Sequence, residues 1–163
     1  DLRGPFAKTL LIDLGTNDGI QSGQSVFGPK GLLGRIVTVG DTSSRVILVT
    51  DFNSRIPVVI GTNRERAIMT VDNRAEPYID FAQADAQINT DMLVVTSGDG
   101  GSVPAGLLLG VIKIVEGYAP RVELFQAPET VTQARVILAE HPSLQKLDLD
   151  LPAILEPDRG LGE

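Results

Sequence analysis

Short apolar runs rich in Val, Ile and Leu recur about every ten residues along this chain, with residues that favour turns between them. Eleven such runs read as strands: Thr9–Leu14, Ser25–Phe27, Gly34–Val39, Arg45–Thr50, Arg55–Ile60, Ala67–Val71, Tyr78–Phe81, Met92–Thr96, Leu109–Val115, Arg121–Gln126 and Ala134–Leu138. Several alternate in the two-residue period of a strand: Ile56, Val58 and Ile60 share one face. The segments between them, such as Asn17-Asp18-Gly19, Pro29-Lys30-Gly31 and Asp99-Gly100-Gly101, carry residues that tolerate positive φ or close side-chain turns. Before residue 140 no stretch keeps a 3.6-residue apolar period, so short or absent helices are expected, with one turn near Asn63–Arg66. Aromatic residues make up 4% of the chain and Trp is absent, so the core rests on β-branched and leucine side chains. The expected class is all-β, built as two small six-stranded-type β-barrels.

Two internal echoes bear on the organisation. Ser44-Arg45-Val46-Ile47-Leu48-Val49 resembles Ser54-Arg55-Ile56-Pro57-Val58-Val59, which reads as consecutive strands of a meander. On a larger scale, Gly31-Leu32-Leu33-Gly34-Arg35-Ile36 parallels Leu107-Leu108-Leu109-Gly110-Val111-Ile112, which reads as two similar subdomains joined between Thr62 and Pro77. The expected boundaries are residues 1–66 for the first barrel and 67–139 for the second, with a chain crossover between them allowed. Residues 140–163 contain Pro142, Pro152 and Pro157, six acids and two bases, and read as a flexible acidic tail.

The net charge of −7 opposes binding to a phosphate backbone, so nucleic acid is not an expected partner. Without cysteine there is no disulfide or thiolate metal site, and composition does not choose a compartment. No apolar run approaches the ~18 residues of a membrane span. The chain opens at Asp1, so a membrane anchor upstream is compatible with the sequence.

Signals for chemistry fail on inspection. Ser97, in Thr96-Ser97-Gly98-Asp99-Gly100-Gly101, sits in a glycine loop like that of a serine protease, yet the one histidine, His141, falls after the last expected strand. Gly23 and Gly28 have phosphate-loop spacing, but Pro29 removes a backbone donor and no Ser or Thr follows Lys30. Asp13, Asn17 and Asp18 are close together, but the calcium-loop register puts Asp18 where glycine is needed. Zinc lacks ligands, and none of the 21 acids is singled out as a catalytic pair. No cofactor and no catalytic residue is expected. The glycines Gly19, Gly23, Gly31, Gly34, Gly98, Gly101, Gly106 and Gly110 read instead as structural, at strand ends and tight bends. Arg35, Arg45, Arg55 and Arg121 lie at or near strand starts and read as rim partners of Asp51, Asp41 or Glu123, or as a stripe facing a partner.

The ordered set Ile12-Asp13-Leu14-Gly15-Thr16-Asn17-Asp18-Gly19-Ile20-Gln21-Ser22-Gly23, Gly31-Leu32-Leu33-Gly34-Arg35-Ile36-Val37, Ser44-Arg45-Val46-Ile47-Leu48-Val49-Thr50-Asp51, and Val95-Thr96-Ser97-Gly98-Asp99-Gly100-Gly101 running on to Gly110-Val111-Ile112 resembles the extracytoplasmic β-domain of the MreC family of rod-shape-determining proteins. The likeness covers about residues 9–139. Val103 stands where the family usually has an aromatic, and Gly106-Leu107-Leu108-Leu109-Gly110 replaces Gly-Leu-Pro-Val-Gly; the acidic tail matches no family motif. The resemblance implies two β-barrel subdomains in the periplasm, behind a single transmembrane helix and coiled coil that precede Asp1. It also implies a structural role in cell elongation: linking MreB and MreD to the machinery, binding a penicillin-binding transpeptidase, and self-associating.

Recognition by exposed strand edges and apolar patches makes the few aromatics natural anchors. Phe52, Tyr78, Phe81, Tyr118 and Phe125 are the expected protein-binding residues, with Phe52 first because it falls inside a turn. Two other classes stay open at this point: a cell-wall or peptide hydrolase on a two-barrel fold, which needs a base near Ser97, and a carbohydrate-binding β module, which the lack of Trp disfavours.

Overall fold

The computed structural model describes residues 8–101, 103–128 and 135–136. Each of the eleven expected runs contains a strand: β1 (Thr9–Ile12), β2 (Ser25–Gly28), β3 (Gly31–Val39), β4 (Ser44–Leu48), β5 (Arg55–Ile60), β6 (Glu65–Thr70), β7 (Tyr78–Asp80), β8 (Leu93–Thr96), β9 (Leu108–Lys113), β10 (Arg121–Leu124) and β11 (Arg135–Val136). All pairings are antiparallel. A 3₁₀ turn forms at Thr16–Asp18, whereas of Asn63–Arg66, expected to form a helical turn, the first two residues belong to the plain β5–β6 turn and the last two open β6. The acidic tail, 140–163, lies outside the described residues.

The strands make one closed six-stranded barrel, β10-β7-β6-β5-β8-β9, and one five-stranded sheet, β1-β4-β3-β2-β11. Two expectations change accordingly. Among the described residues the first unit is a sheet of five strands rather than a second six-stranded barrel, because β5 pairs with β6 and β8 and leaves it. For the same reason β4 and β5 are not a meander: the echo at Arg45 and Arg55 joins strands of different sheets. In the strand pairing β5 and β6 belong to the barrel with β7 to β10. The crossing lies between Leu48 and Arg55, and β11 returns to the first sheet beside β2.

Asp51 braces the crossing with hydrogen bonds. It has no exposed surface, and its carboxylate accepts the N–H of Asn53 at 2.9 Å and the N–H of Lys8. Those bonds compensate a carboxylate that would otherwise be costly to bury.

Each unit has its own core. Ile12, Ile20, Val26, Leu33, Ile36, Val46 and Val136 pack in the first, and Val58, Ile60, Met69, Val94, Leu109, Ile112 and Val122 fill the barrel. Leu32 and Val49 of the first unit pack into the barrel cluster, and the Lys30 N–H donates to Gln126 Oε1 at 2.9 Å, so the join is both apolar and hydrogen-bonded.

The larger internal echo is structural. In β2–β3 the register steps from Val26 opposite Gly34 to Phe27 opposite Leu32; in β8–β9 it steps from Val94 opposite Gly110 to Val95 opposite Leu108. Flanking backbone bonds match too: Ile36 N–H to Gln24 O and Ile112 N–H to Met92 O, both 2.9 Å, and Val49 N–H to Leu33 O and Phe125 N–H to Leu109 O, both 3.0 Å. The units β2-β3-β4 and β8-β9-β10 are two copies of one bulged three-strand ladder. The bulge adds a residue to β3 and β9, which strengthens local twist and curls the ladder around its core. A Cβ on Gly34 would run into the carbonyl oxygen of Ile47, and one on Gly110 into that of Glu123. Only glycine lets the strands approach this closely.

Candidate protein-binding surface

Among the described residues no three His, Cys, Asp or Glu side chains gather as metal ligands. Ser97 lies in a loop tied down by buried Thr96, whose hydroxyl donates to the Pro104 carbonyl and accepts the Leu107 N–H at 2.9 Å. The Ser97 hydroxyl accepts the Asp99 N–H at 3.1 Å. Asp99 meets the Arg66 guanidinium at 2.6 Å, and that hydrogen bond, with the one to Ser97, holds its carboxyl below the usual range. His141 lies outside the described residues. Of the expected structural glycines, Gly19, Gly23, Gly98, Gly101 and Gly106 have positive φ, while Gly31, Gly34 and Gly110 lie where a neighbouring backbone comes close.

The five aromatics expected to bind protein separate into two groups. Phe52, on the turn that Asp51 supports, is 50% exposed; Phe81, just past β7, is 76% exposed; and Tyr118 is 61% exposed. Phe81 has φ +59° with its N–H on Asp80 Oδ1 at 2.8 Å, a strained backbone for so bulky a residue. Tyr78 and Phe125 are half-buried. The Arg74 guanidinium lies 4.3 Å over the Tyr118 ring and that of Arg121 lies 5.4 Å from the Tyr78 ring. Asp72 links the two arginines. Its carboxylate accepts Arg121 Nη2 at 3.0 Å and the Arg74 N–H at 2.9 Å. Desolvation pushes the Asp72 carboxyl up, but the Arg74 N–H and the Arg121 guanidinium outweigh it and leave the group below its ordinary value. Arg121 is therefore a buried partner of Asp72, not of the rim acids expected for it.

The outer face of β8 and β9 is aliphatic. Outward positions elsewhere on the barrel are mixed: Arg66 on β6 and Glu123 on β10 are charged, while Pro57 and Val59 on β5 and Ile68 on β6 are apolar. On β8 the outward residues are Leu93 and Val95, and on β9 they are Leu108 and Val111, before Lys113 restores charge. Leu93 stands opposite Val111, and Val95 opposite Leu108. Leu93 is 44% and Leu108 45% exposed, so four apolar side chains form one continuous outward patch. Strands that are apolar on both faces are the pattern of a sheet covered on both sides.

The family model "Rod shape-determining protein MreC, barrel core" matches residues 2–140. The chain belongs to the MreC family. It is 43% identical over 139 residues to the cell shape-determining protein MreC of Caulobacter vibrioides, covering 85% of this chain and 40% of that protein, so it spans about two fifths of that relative's length. The solved structure of MreC from Pseudomonas aeruginosa is 34% identical with a TM-score of 0.64, covering 74% of this chain and 81% of that one. The MreC fold is also shared, at 16% identity and a TM-score of 0.56 over 74% of this chain and 90% of that one, with a structure solved as a complex between penicillin-binding protein PBP2 and MreC from Helicobacter pylori. MreC proteins are shape-determining, and the sheet-plus-barrel described here is their barrel core. Among the described residues no helix is long and apolar enough to cross a membrane.

Proposed function

We propose that this MreC domain is a non-catalytic periplasmic scaffold of cell elongation, and that the outward Leu93–Val95–Leu108–Val111 face docks a penicillin-binding transpeptidase. The observation that carries the reading is that β8 and β9 present only leucine and valine outward before Lys113, with Leu93 and Leu108 exposed to solvent. An aliphatic face on a rigid barrel offers burial of roughly 25 cal/mol per Å² to a partner at little conformational cost. The H. pylori complex supports the choice of partner. Phe52, Phe81 and Tyr118 are the exposed aromatics that would extend the contact, with half-buried Tyr78 and Phe125 in supporting roles. The remaining roles follow the family: a membrane anchor holds the domain at the inner membrane, MreD and MreB join the assembly there, and the domain self-associates. Among the described residues no strand pairs with the outer edge of β1, which supports the last of these, since strand addition there needs no rearrangement.

In-cell photo-crosslinking tests the proposal. A photoreactive residue at Leu93 is expected to trap a penicillin-binding transpeptidase, while one at Glu123 on β10 traps none. Equal trapping at both positions contradicts the assignment of the face.

A further inference from the structure

A cleft of about 280 Å³ opens between the first sheet and the barrel, large enough for side chains of an extended segment and too small for a folded partner. Its apolar wall is made by Ile47, Leu48, Pro57 and Val103, and two arginines enter it, Arg35 from β3 and Arg55 from β5. Arg55 donates to Thr70 Oγ1 at 2.8 Å and to the Ser54 carbonyl at 3.1 Å. Half-buried Arg35 meets no hydrogen-bond acceptor, and neither arginine meets a carboxylate, among the described residues. The one acid at the rim, Asp99, is already taken by Arg66. The cleft therefore presents two cations beside an apolar wall, and its complement is an extended peptide that alternates apolar and acidic side chains.

The chain carries such a segment. Leu147-Asp148-Leu149-Asp150-Leu151, outside the described residues, alternates leucine and aspartate with the two-residue period of a strand. Ten residues separate it from Val136, enough to reach roughly 30 Å from the end of β11. We propose that this acidic segment is the cleft's resident ligand, its leucines against the apolar wall and its aspartates on Arg35 and Arg55. Tethering gives the segment an effective concentration on the order of 1 mM, so an intrinsic affinity near 100 µM suffices for it to fill the cleft. Bound there, the segment ties β3 of the sheet to β5 of the barrel and keeps both arginines from competing acidic partners. The inference is independent of which protein docks on β8 and β9.

The natural chain has no cysteine, so a spin label at Ala153→Cys in the 163-residue chain reads the contact directly. Nuclear relaxation is expected to be enhanced at the amides of Ile47, Leu48 and Val103 and not at Glu116–Tyr118 beyond β9. Asp148→Lys with Asp150→Lys is expected to abolish the enhancement, and adding Arg35→Glu with Arg55→Glu to restore it. Enhancement that is uniform over the surface, or that survives charge reversal, overturns the proposal. So does enhancement that appears only between a labelled copy and an isotope-enriched unlabelled copy, which assigns the cleft to a second molecule. Melting of the charge-reversed chain at the parental temperature separates a lost contact from a lost fold.

Discussion

Gly34 and Gly110 hold the same position in two copies of one three-strand ladder, each facing a carbonyl oxygen, of Ile47 and of Glu123, across a gap that admits no Cβ. Close approach at these two points lets a short bulged ladder curl enough to cover its own core.

Replacing either glycine by alanine must therefore move backbone against backbone. Gly34→Ala and Gly110→Ala are each expected to destabilise by about 2 kcal/mol or more, within the usual range for overpacking. Gly100→Ala, at φ +78° with open space around it, is expected to cost about 1 kcal/mol. Urea midpoints at constant m-value decide it, and equal losses at all three sites contradict the shared role of Gly34 and Gly110.

Phe81 at φ +59° is mostly exposed, so it holds a strained conformation and packs little in return. Phe81→Asn is expected to raise stability by up to about 1 kcal/mol, because asparagine tolerates the left-handed region. Thermal unfolding checks this, and a clear loss of stability contradicts it.

Phe52 is half exposed on a turn whose geometry is held by Asp51 rather than by the ring. Phe52→Ala is expected to change stability by less than about 0.5 kcal/mol while weakening partner binding or self-association. Asp51→Ala is expected to cost about 2 kcal/mol or more, since it strips the acceptor from two N–H groups. The two melting curves, measured side by side, test which residue makes the turn.

Asp72 has a lowered folded pKa, so in acid the unfolded chain takes up its proton more readily than the folded one and protonation favours unfolding. Its contribution to stability is fully present above the ordinary value of 3.8 and is lost as pH falls below that through the folded pKa. Asp72→Asn is expected to flatten the stability profile in that window and leave the slope above pH 5 unchanged. Denaturation midpoints across acid pH measure it, and an unchanged acid limb contradicts the Asp72–Arg121 linkage.

Strand positions were legible in the sequence because alternation and turn residues are local properties: all eleven runs contain strands. Which strands pair is not local. The Ser44-Arg45 and Ser54-Arg55 segments look like neighbours in sequence, yet the turn at Asp51 sends them to different sheets. Leu93 and Leu108 were hidden for a related reason: with apolar residues at both alternate positions, periodicity does not distinguish the core face from a docking face. The aromatics gave mixed guidance, since Phe52, Phe81 and Tyr118 are exposed while Phe125 is half-buried and Tyr78 is half-buried beside the Arg121 guanidinium.

Affinity for the periplasmic part of a penicillin-binding transpeptidase, measured by calorimetry for the parent and for Leu93→Asp with Leu108→Asp, tests the docking face most directly. The double variant is expected to keep its melting temperature and lose at least about tenfold in affinity, the equivalent of 1.4 kcal/mol. Undiminished affinity in a folded double variant would contradict the account.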